Sequence, residues 1–294
     1  NVCIGGNITE QSGGNQVFIG KTAAGGANST GGYNVAIGSA AGYAHTSGTQ
    51  NVALGASALN AATSASQNTA IGNAALASMV AGGSPHYGKV TAVGFKAFNA
   101  LTTGFECLAV GNEAGLVHQT GNGVCYIGFW AGRASNGLWG NTMVGSYAGY
   151  AATGCNGSTF VGYGAAAVNT AGSNDAFGYY ALNRNTGSLG NVAIGAYAMQ
   201  HQNSNSTDSY NTALGNMAFG TDGKEHLHKC IGIGYDVETA YDDSIETIVM
   251  GAECVGYGSN YRMTVGSGSG NGRIYATFNS SATWSYVSDV RYKK

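Results

Sequence analysis

The feature that most limits what this chain can become is a repeat. The run Asn-Val-Ala-Ile-Gly stands intact at 34–38 and 191–195, with close variants at 51–55, 68–72, 141–145 and 211–215. Aligned on its closing glycine the unit recurs fifteen times, at Gly5, Gly20, Gly38, Gly55, Gly72, Gly94, Gly111, Gly128, Gly145, Gly162, Gly178, Gly195, Gly215, Gly234 and Gly251, most often 17 residues apart. A fixed period of this length means that one small unit is built repeatedly and that each copy buries its apolar face against the next.

Inside the unit, apolar residues alternate and are β-branched or small, while Gly, Asn, Ser and Thr mark the turns, which is the pattern of a short strand. No run supports a helix of ordinary length. Ala follows three residues after the glycine in twelve of the fifteen copies, so a second short element follows the first. The recurring glycine implies a backbone need, either positive φ or close approach of neighbouring coils. The opening Asn recurs in eight copies and predicts a hydrogen-bonded amide ladder along the stacking axis. The expectation is an all-β, elongated parallel β-solenoid, a β-roll or β-helix. At an inter-strand spacing of about 4.8 Å, its coils would extend roughly 70 Å.

Many inward positions are Ala, and small residues bury little area at ~25 cal/mol per Å². A single chain therefore needs partners. Apolar residues outside one inward row, such as Phe95, Phe98, Phe129, Trp130, Tyr147 and Phe160, are expected to pack between chains. Three parallel copies, a homotrimer, are the natural solution for a fibre.

Composition narrows the classes further. An apolar fraction of 44% with a net charge of −2 argues against disorder, although Gly contributes 50 residues and charged residues only 9%. So weak a charge gives no footprint for nucleic acid or an acidic membrane surface. No apolar run is long enough to cross a bilayer, so membrane insertion is not expected. Asn1 opens in the middle of a repeat, and the sequence reads as a piece of a longer chain. The six cysteines, Cys3, Cys107, Cys125, Cys155, Cys230 and Cys254, lack paired metal-type spacing and are expected to be small, buried and reduced. Gly20-Lys21-Thr22 lacks the Walker glycine, and Gly266, Gly268 and Gly270 precede no helix, so neither run indicates a nucleotide.

Asn-Val-Ala-Ile-Gly followed by a small-residue segment resembles the head repeats of trimeric autotransporter adhesins, which are trimeric left-handed parallel β-rolls of shorter period. The run Ser288-Asp289-Val290-Arg291-Tyr292-Lys293 resembles the opening of the intramolecular-chaperone autoprotease domain found behind phage tail fibres and tailspikes. That resemblance implies a C-terminal domain that drives trimer assembly and then cuts itself off before Ser288, with Ser288 as nucleophile and Lys293 as its base. A desolvated lysine can activate a hydroxyl in this way. The implied organisation is a repeat rod over 1–263 with loops at 78–89 and 196–229, a closing segment over 264–287, and the start of the autoprotease over 288–294. The implied setting is the virion, with upstream fibre or tail proteins as partners.

Residues 222–253 hold eight of the fourteen acids, and aromatic residues accompany them. Carboxylates beside aromatic rings suit sugars, which offer hydroxyls and apolar faces. Tyr235, Asp236, Tyr241, Asp242, Asp243, Tyr257, Tyr261 and Arg262 are therefore the candidate receptor-binding residues, with a host surface polysaccharide or other receptor as ligand; a merely solvated tip is the plain alternative. Hydrolysis by Asp242, Asp243 or Glu246 would need two carboxyl groups set across a deep groove, and adjacent residues on a strand face opposite ways. His226-Leu227-His228 puts two imidazoles on one strand face. Three chains would bring six together, enough for an octahedral transition metal such as iron; polar loop histidines are the plain alternative. The expected function is a structural and host-recognition segment of a bacteriophage tail fibre. A trimeric bacterial adhesin and a polysaccharide depolymerase are the competing classes.

Overall fold

The computed structural model describes all residues except 7–12, 25–29, 81–87, 203–208, 221–225, 242–243, 257–259, 269–272, 278–283 and 287–294. The fold is all-β, a parallel β-solenoid of about fourteen turns, as the repeat predicts. It divides into two compact units, 1–153 and 154–294.

In the first unit the Asn-Val-Ala-Ile segments become strands of three residues, among them Val35–Ile37, Val52–Leu54, Thr69–Ile71 and Cys125–Ile127. Each pairs in parallel with the equivalent strand of the next copy, so Val35 lies beside Val52 and Val52 beside Thr69. The period in sequence has become a period in space. The far side of the coil carries a second, shorter ladder, with Thr103–Phe105 beside Thr120–Asn122. In the second unit the same arrangement runs from Thr159–Val161 to Arg262–Ser267. There Ile274–Thr277 and Trp284–Tyr286 add antiparallel strands to the edge of Arg262–Ser267. The sequence boundary at 263 thus falls inside the last parallel strand. The expected loop at 196–229 also contains the regular strand Thr212–Leu214.

The repeat glycine is required on both of the grounds expected. Gly55 has φ 131°, and a Cβ there would lie 2.5 Å from the carbonyl oxygen of Gly72 in the next coil. No side chain fits between backbones so close. The coils also turn through left-handed positions held by other residues, such as Gln50, Ser57 and Leu59. Bonds between coils secure these costly conformations; Ser57 N–H, for example, donates to Ser39 O at 2.9 Å.

The amide ladder is present. Asn51 Nδ2 donates to Asn34 Oδ1 at 3.1 Å, and Asn68 Nδ2 donates to Asn51 Oδ1 at 3.0 Å. Each Asn also reaches across its own coil: Asn51 Nδ2 donates to Ala65 O at 2.8 Å, and Asn34 Nδ2 to Gly48 O at 3.0 Å. In the second unit Asn211 repeats both contacts, to Asn191 Oδ1 at 3.1 Å and to Leu227 O at 2.7 Å. Buried amides so placed tie strand to strand and side to side.

In the coils of Gly38 to Gly178 three inward positions surround the buried Ala that follows the glycine: the middle of the first strand, and the residues four and seven beyond the glycine. Their sizes compensate. Ala70 is joined by Leu76 and Met79, and Ala92 by Phe98 and Leu101, whereas Tyr126 is joined by Gly132 and Ser135. A Cβ on Gly132 would lie 2.9 Å from the Tyr126 ring. Where strand and turn are both small, as at Ala36 with Gly42 or Ala109 with Gly115, the third position is a buried histidine, His45 or His118. This keeps the interior close-packed despite its alanines.

Two expectations need correction. Phe98 and Phe160 are fully buried inside their own coils and cannot pack between chains. Of the six cysteines, all reduced, only Cys107, Cys155, Cys230 and Cys254 are buried; Cys3 is exposed and Cys125 half-buried. Burial pushes the thiols of Cys107 and Cys230 up, which leaves them unreactive.

Candidate functional site

After the first strand most described coils turn at the glycine and present the next two residues toward the outside before the chain dives inward, usually at an Ala. The second of them is held left-handed, as at Trp130 (φ 60°), Tyr147 (φ 60°), Tyr180 (φ 51°) and Asp236 (φ 49°). Copies stack in register, with Trp130 N–H donating to Asn112 O at 3.0 Å and Tyr147 N–H to Phe129 O at 2.9 Å. Aromatic residues at this corner therefore form a ladder.

In the first unit the ladder is a cluster. Phe129 stacks on Trp130 with centroids 4.7 Å apart, and Tyr147 meets Trp130 edge-on at 5.3 Å. Tyr150 closes the group 5.9 Å from both Trp130 and Tyr147. The Arg133 guanidinium lies over the Trp130 ring at 4.7 Å, and its Nε donates to Glu113 Oε2 at 2.6 Å. That bond is the main reason why the guanidinium holds its proton even more firmly than usual. Five side chains from three coils thus fix one another around Trp130.

In the second unit the same corner carries tyrosines. Tyr163 stacks on Tyr179 at 5.4 Å, Tyr179 meets Tyr180 edge-on at 4.6 Å, and Tyr180 stacks on Tyr197 at 6.1 Å. Tyr235 and Asp236 occupy this corner further along, with Tyr235 half exposed. The Asp236 carboxyl is raised above its ordinary pKa, by burial first and then by Glu238 and Glu253.

Two of the other candidate receptor residues, Tyr261 and Arg262, lie at the start of a first strand, opposite the glycine corner. Tyr261 sits just before Arg262–Ser267 and donates its N–H to Ile245 O at 3.0 Å, while the Arg262 guanidinium covers the Tyr275 ring at 5.5 Å. Tyr241 is exposed, and its carbonyl accepts from Ser244 Oγ at 2.8 Å. Tyr241 precedes the second-ladder strand Ser244–Ile245, so the described candidates occupy three places on the coil. Asp242, Asp243, Tyr257, Ser288 and Lys293 lie outside the described residues.

His226 precedes the strand Leu227–His228, and Leu227 points inward while both imidazoles are half-buried on the outer side. His228 lies edge-on to Tyr210, 6.3 Å away. Among the described residues no group of three or more His, Cys, Asp or Glu side chains converges to hold a metal.

The aromatic corner was only half legible in the sequence. From sequence, Phe129, Trp130 and Tyr147 are expected as contacts between chains, and the tyrosines at 163, 179, 180 and 197 belong to no motif. Their shared offset of one or two residues after the repeat glycine was the signal available. No protein-family model and no curated protein sequence matches the chain. Among the described residues no helix is long and apolar enough to cross a membrane.

Proposed function

We propose that the chain is a homotrimeric receptor-binding segment of a bacteriophage tail fibre, joined to upstream fibre or tail proteins in the virion and directed at a host surface glycan. The observation that carries the reading is the outer face of the first-strand ladder. Its middle residues point inward, and its flanking residues are mostly Val, Thr, Ile and Leu, with Cys125, Asp175 and Phe177 among the exceptions. Ile37 and Ile71 in the first unit, and Ile194 and Leu214 in the second, remain 37–44% exposed. A repeated aliphatic strip of this kind is a surface for association, and parallel copies would cover it in every coil at once.

The aromatic corners, Tyr235 and Asp236 among them, supply ring faces with adjacent polar groups for saccharide binding. Tyr241, Asp242, Asp243, Tyr257, Tyr261 and Arg262 complete the receptor-binding set at the distal coils. The Ser288–Lys293 run, by its resemblance, would mature the trimer by self-cleavage once its downstream domain is attached. His226 and His228 would supply six imidazoles to a shared transition metal in a trimer; metal analysis giving less than one ion per three chains removes that part.

Expression with the downstream region tests the whole reading. The parent is expected to yield a shortened, trimeric product that binds host cells, and Ser288→Ala to remain full length. Equal product lengths for the two would defeat self-cleavage, and a monomeric product would defeat the fibre. Release of reducing sugars from host polysaccharide would instead identify a depolymerase, and an uncleaved product ending in a membrane β-barrel an adhesin.

A further inference from the structure

We infer that the cluster formed by Phe129, Trp130, Tyr147 and Tyr150 with Arg133 and Glu113 is a saccharide-binding site, separate from the distal residues that the acidic composition singles out. The inference rests on the reading of the chain as a receptor-binding segment and gives that reading a location. Phe129 is 43% exposed, so part of an aromatic platform faces outward. Stacking has already fixed its rings, and a ligand would lose little side-chain freedom on their account.

The polar groups at its rim are equally fixed. Arg133 Nε is bonded to Glu113 Oε2, and Nη1 lies 3.5 Å from the Tyr150 hydroxyl. A guanidinium carries five N–H donors, so donors remain for a ligand beside the ring faces. Sugars present apolar ring faces and hydroxyls together, which is the combination offered here.

Two other occupants fit less well. A second copy of the chain would bury the Arg133–Glu113 pair, and the cores of such interfaces are depleted of charge. The aliphatic strip is the better surface for that role. Single-stranded nucleic acid also stacks on aromatic residues, but it needs a cationic groove for its phosphates. Here one arginine is neutralised by its own glutamate, in a chain of net charge −2. Glu113 is the sole carboxylate of the six residues and is held by Arg133, so the site would bind without cleaving.

The test uses the trimeric chain on an immobilised panel of bacterial lipopolysaccharides and capsular polysaccharides, with Trp130→Ala, Trp130→Phe and Tyr235→Ala as variants. Retained circular dichroism and molecular mass would show that Trp130→Ala has not damaged the fold. The expected result is binding of at least one polysaccharide, weakened tenfold or more by Trp130→Ala and largely restored in Trp130→Phe. Unchanged binding by Trp130→Ala with loss in Tyr235→Ala would overturn the site while leaving the receptor-binding reading intact. Binding of no polysaccharide would overturn the site too, and attachment of the parent to host cells would then show whether that reading survives. Dissociation of Trp130→Ala to monomers, or preferred binding of oligonucleotides through Trp130, would assign the cluster elsewhere and equally overturn the proposal.

Discussion

Two coils of the first unit enclose the same interior by opposite means. At Gly72 the strand contributes only Ala70 and the turn supplies the bulk, Leu76 and Met79. At Gly128 the strand supplies Tyr126 and the turn recedes to Gly132 and Ser135. The backbone ladders of the two coils run in the same register. In these two coils, therefore, bulk absent from the strand is supplied by the turn and bulk present in the strand is matched by a receding turn, so the burden can pass from one to the other.

The glycine common to both kinds of coil gives the largest expected effect. Gly128 has φ 138°, and a Cβ on it would come within 2.6 Å of the Gly145 carbonyl carbon. Gly128→Val is expected to cost more than about 4 kcal/mol, enough to lose soluble folded chain. A melting curve like the parent's would show that the glycine is dispensable. Volume exchange is the sharper test. Met143→Ala should cost about 3 kcal/mol. Adding Gly149→Leu should recover at least half of that, because Ala70 with Leu76 already shows this arrangement at a comparable left-handed φ. No recovery in denaturant titration would mean that bulk cannot pass from strand to turn.

The third way of filling a coil adds a pH dependence. His118 is fully buried against Phe98 and Tyr126, and burial lowers its pKa from 6.5 to about 4. The unfolded chain therefore binds a proton between these values while the folded chain does not. Stability should be intact above pH 6.5 and fall as pH drops toward 4, by about 3 kcal/mol in all. His118→Leu puts there the residue that Leu101 supplies one coil earlier, and it should remove most of that fall in denaturation followed across this range. The smallest effect concerns the amide ladder, present at Asn51 and Asn68 but replaced by buried Val90 and Val124 beyond. Asn51→Val should cost about 2 kcal/mol, because it strands the Ala65 oxygen that accepts from its amide and the Asn68 N–H that donates to its Oδ1. A neutral result in thermal melts would make the ladder ornamental.

The strand, the glycine column and the amide ladder were legible because each recurs at a fixed offset, and repetition lets one chain act as its own comparison set. The exchange of bulk between Tyr126 and Gly132 was hidden, since the turn residue is read as a loop until the coil closes and brings it against the strand. Phe98 was misassigned for the same reason: it lies four residues after its glycine, outside the alternating run, yet the left-handed turn directs it inward. The aromatic corner was obscured because its residues stand two apart in role but adjacent in sequence, one facing outward and one held left-handed. Only the stacking of coils shows them as a ladder.

The central claim is that consecutive repeats are consecutive coils in fixed register, and paired cysteines test it most directly. With the outward Cys3 and Cys125 replaced by serine, cysteines at Val52 and Thr69, which are Cα partners in adjacent coils, should close a disulfide within one chain on mild oxidation. Cysteines at Val52 and Thr91, two coils apart, should stay reduced because about 9.6 Å separates strands at that remove. Ready closure of the second pair, or failure of the first, would contradict the stacked repeat.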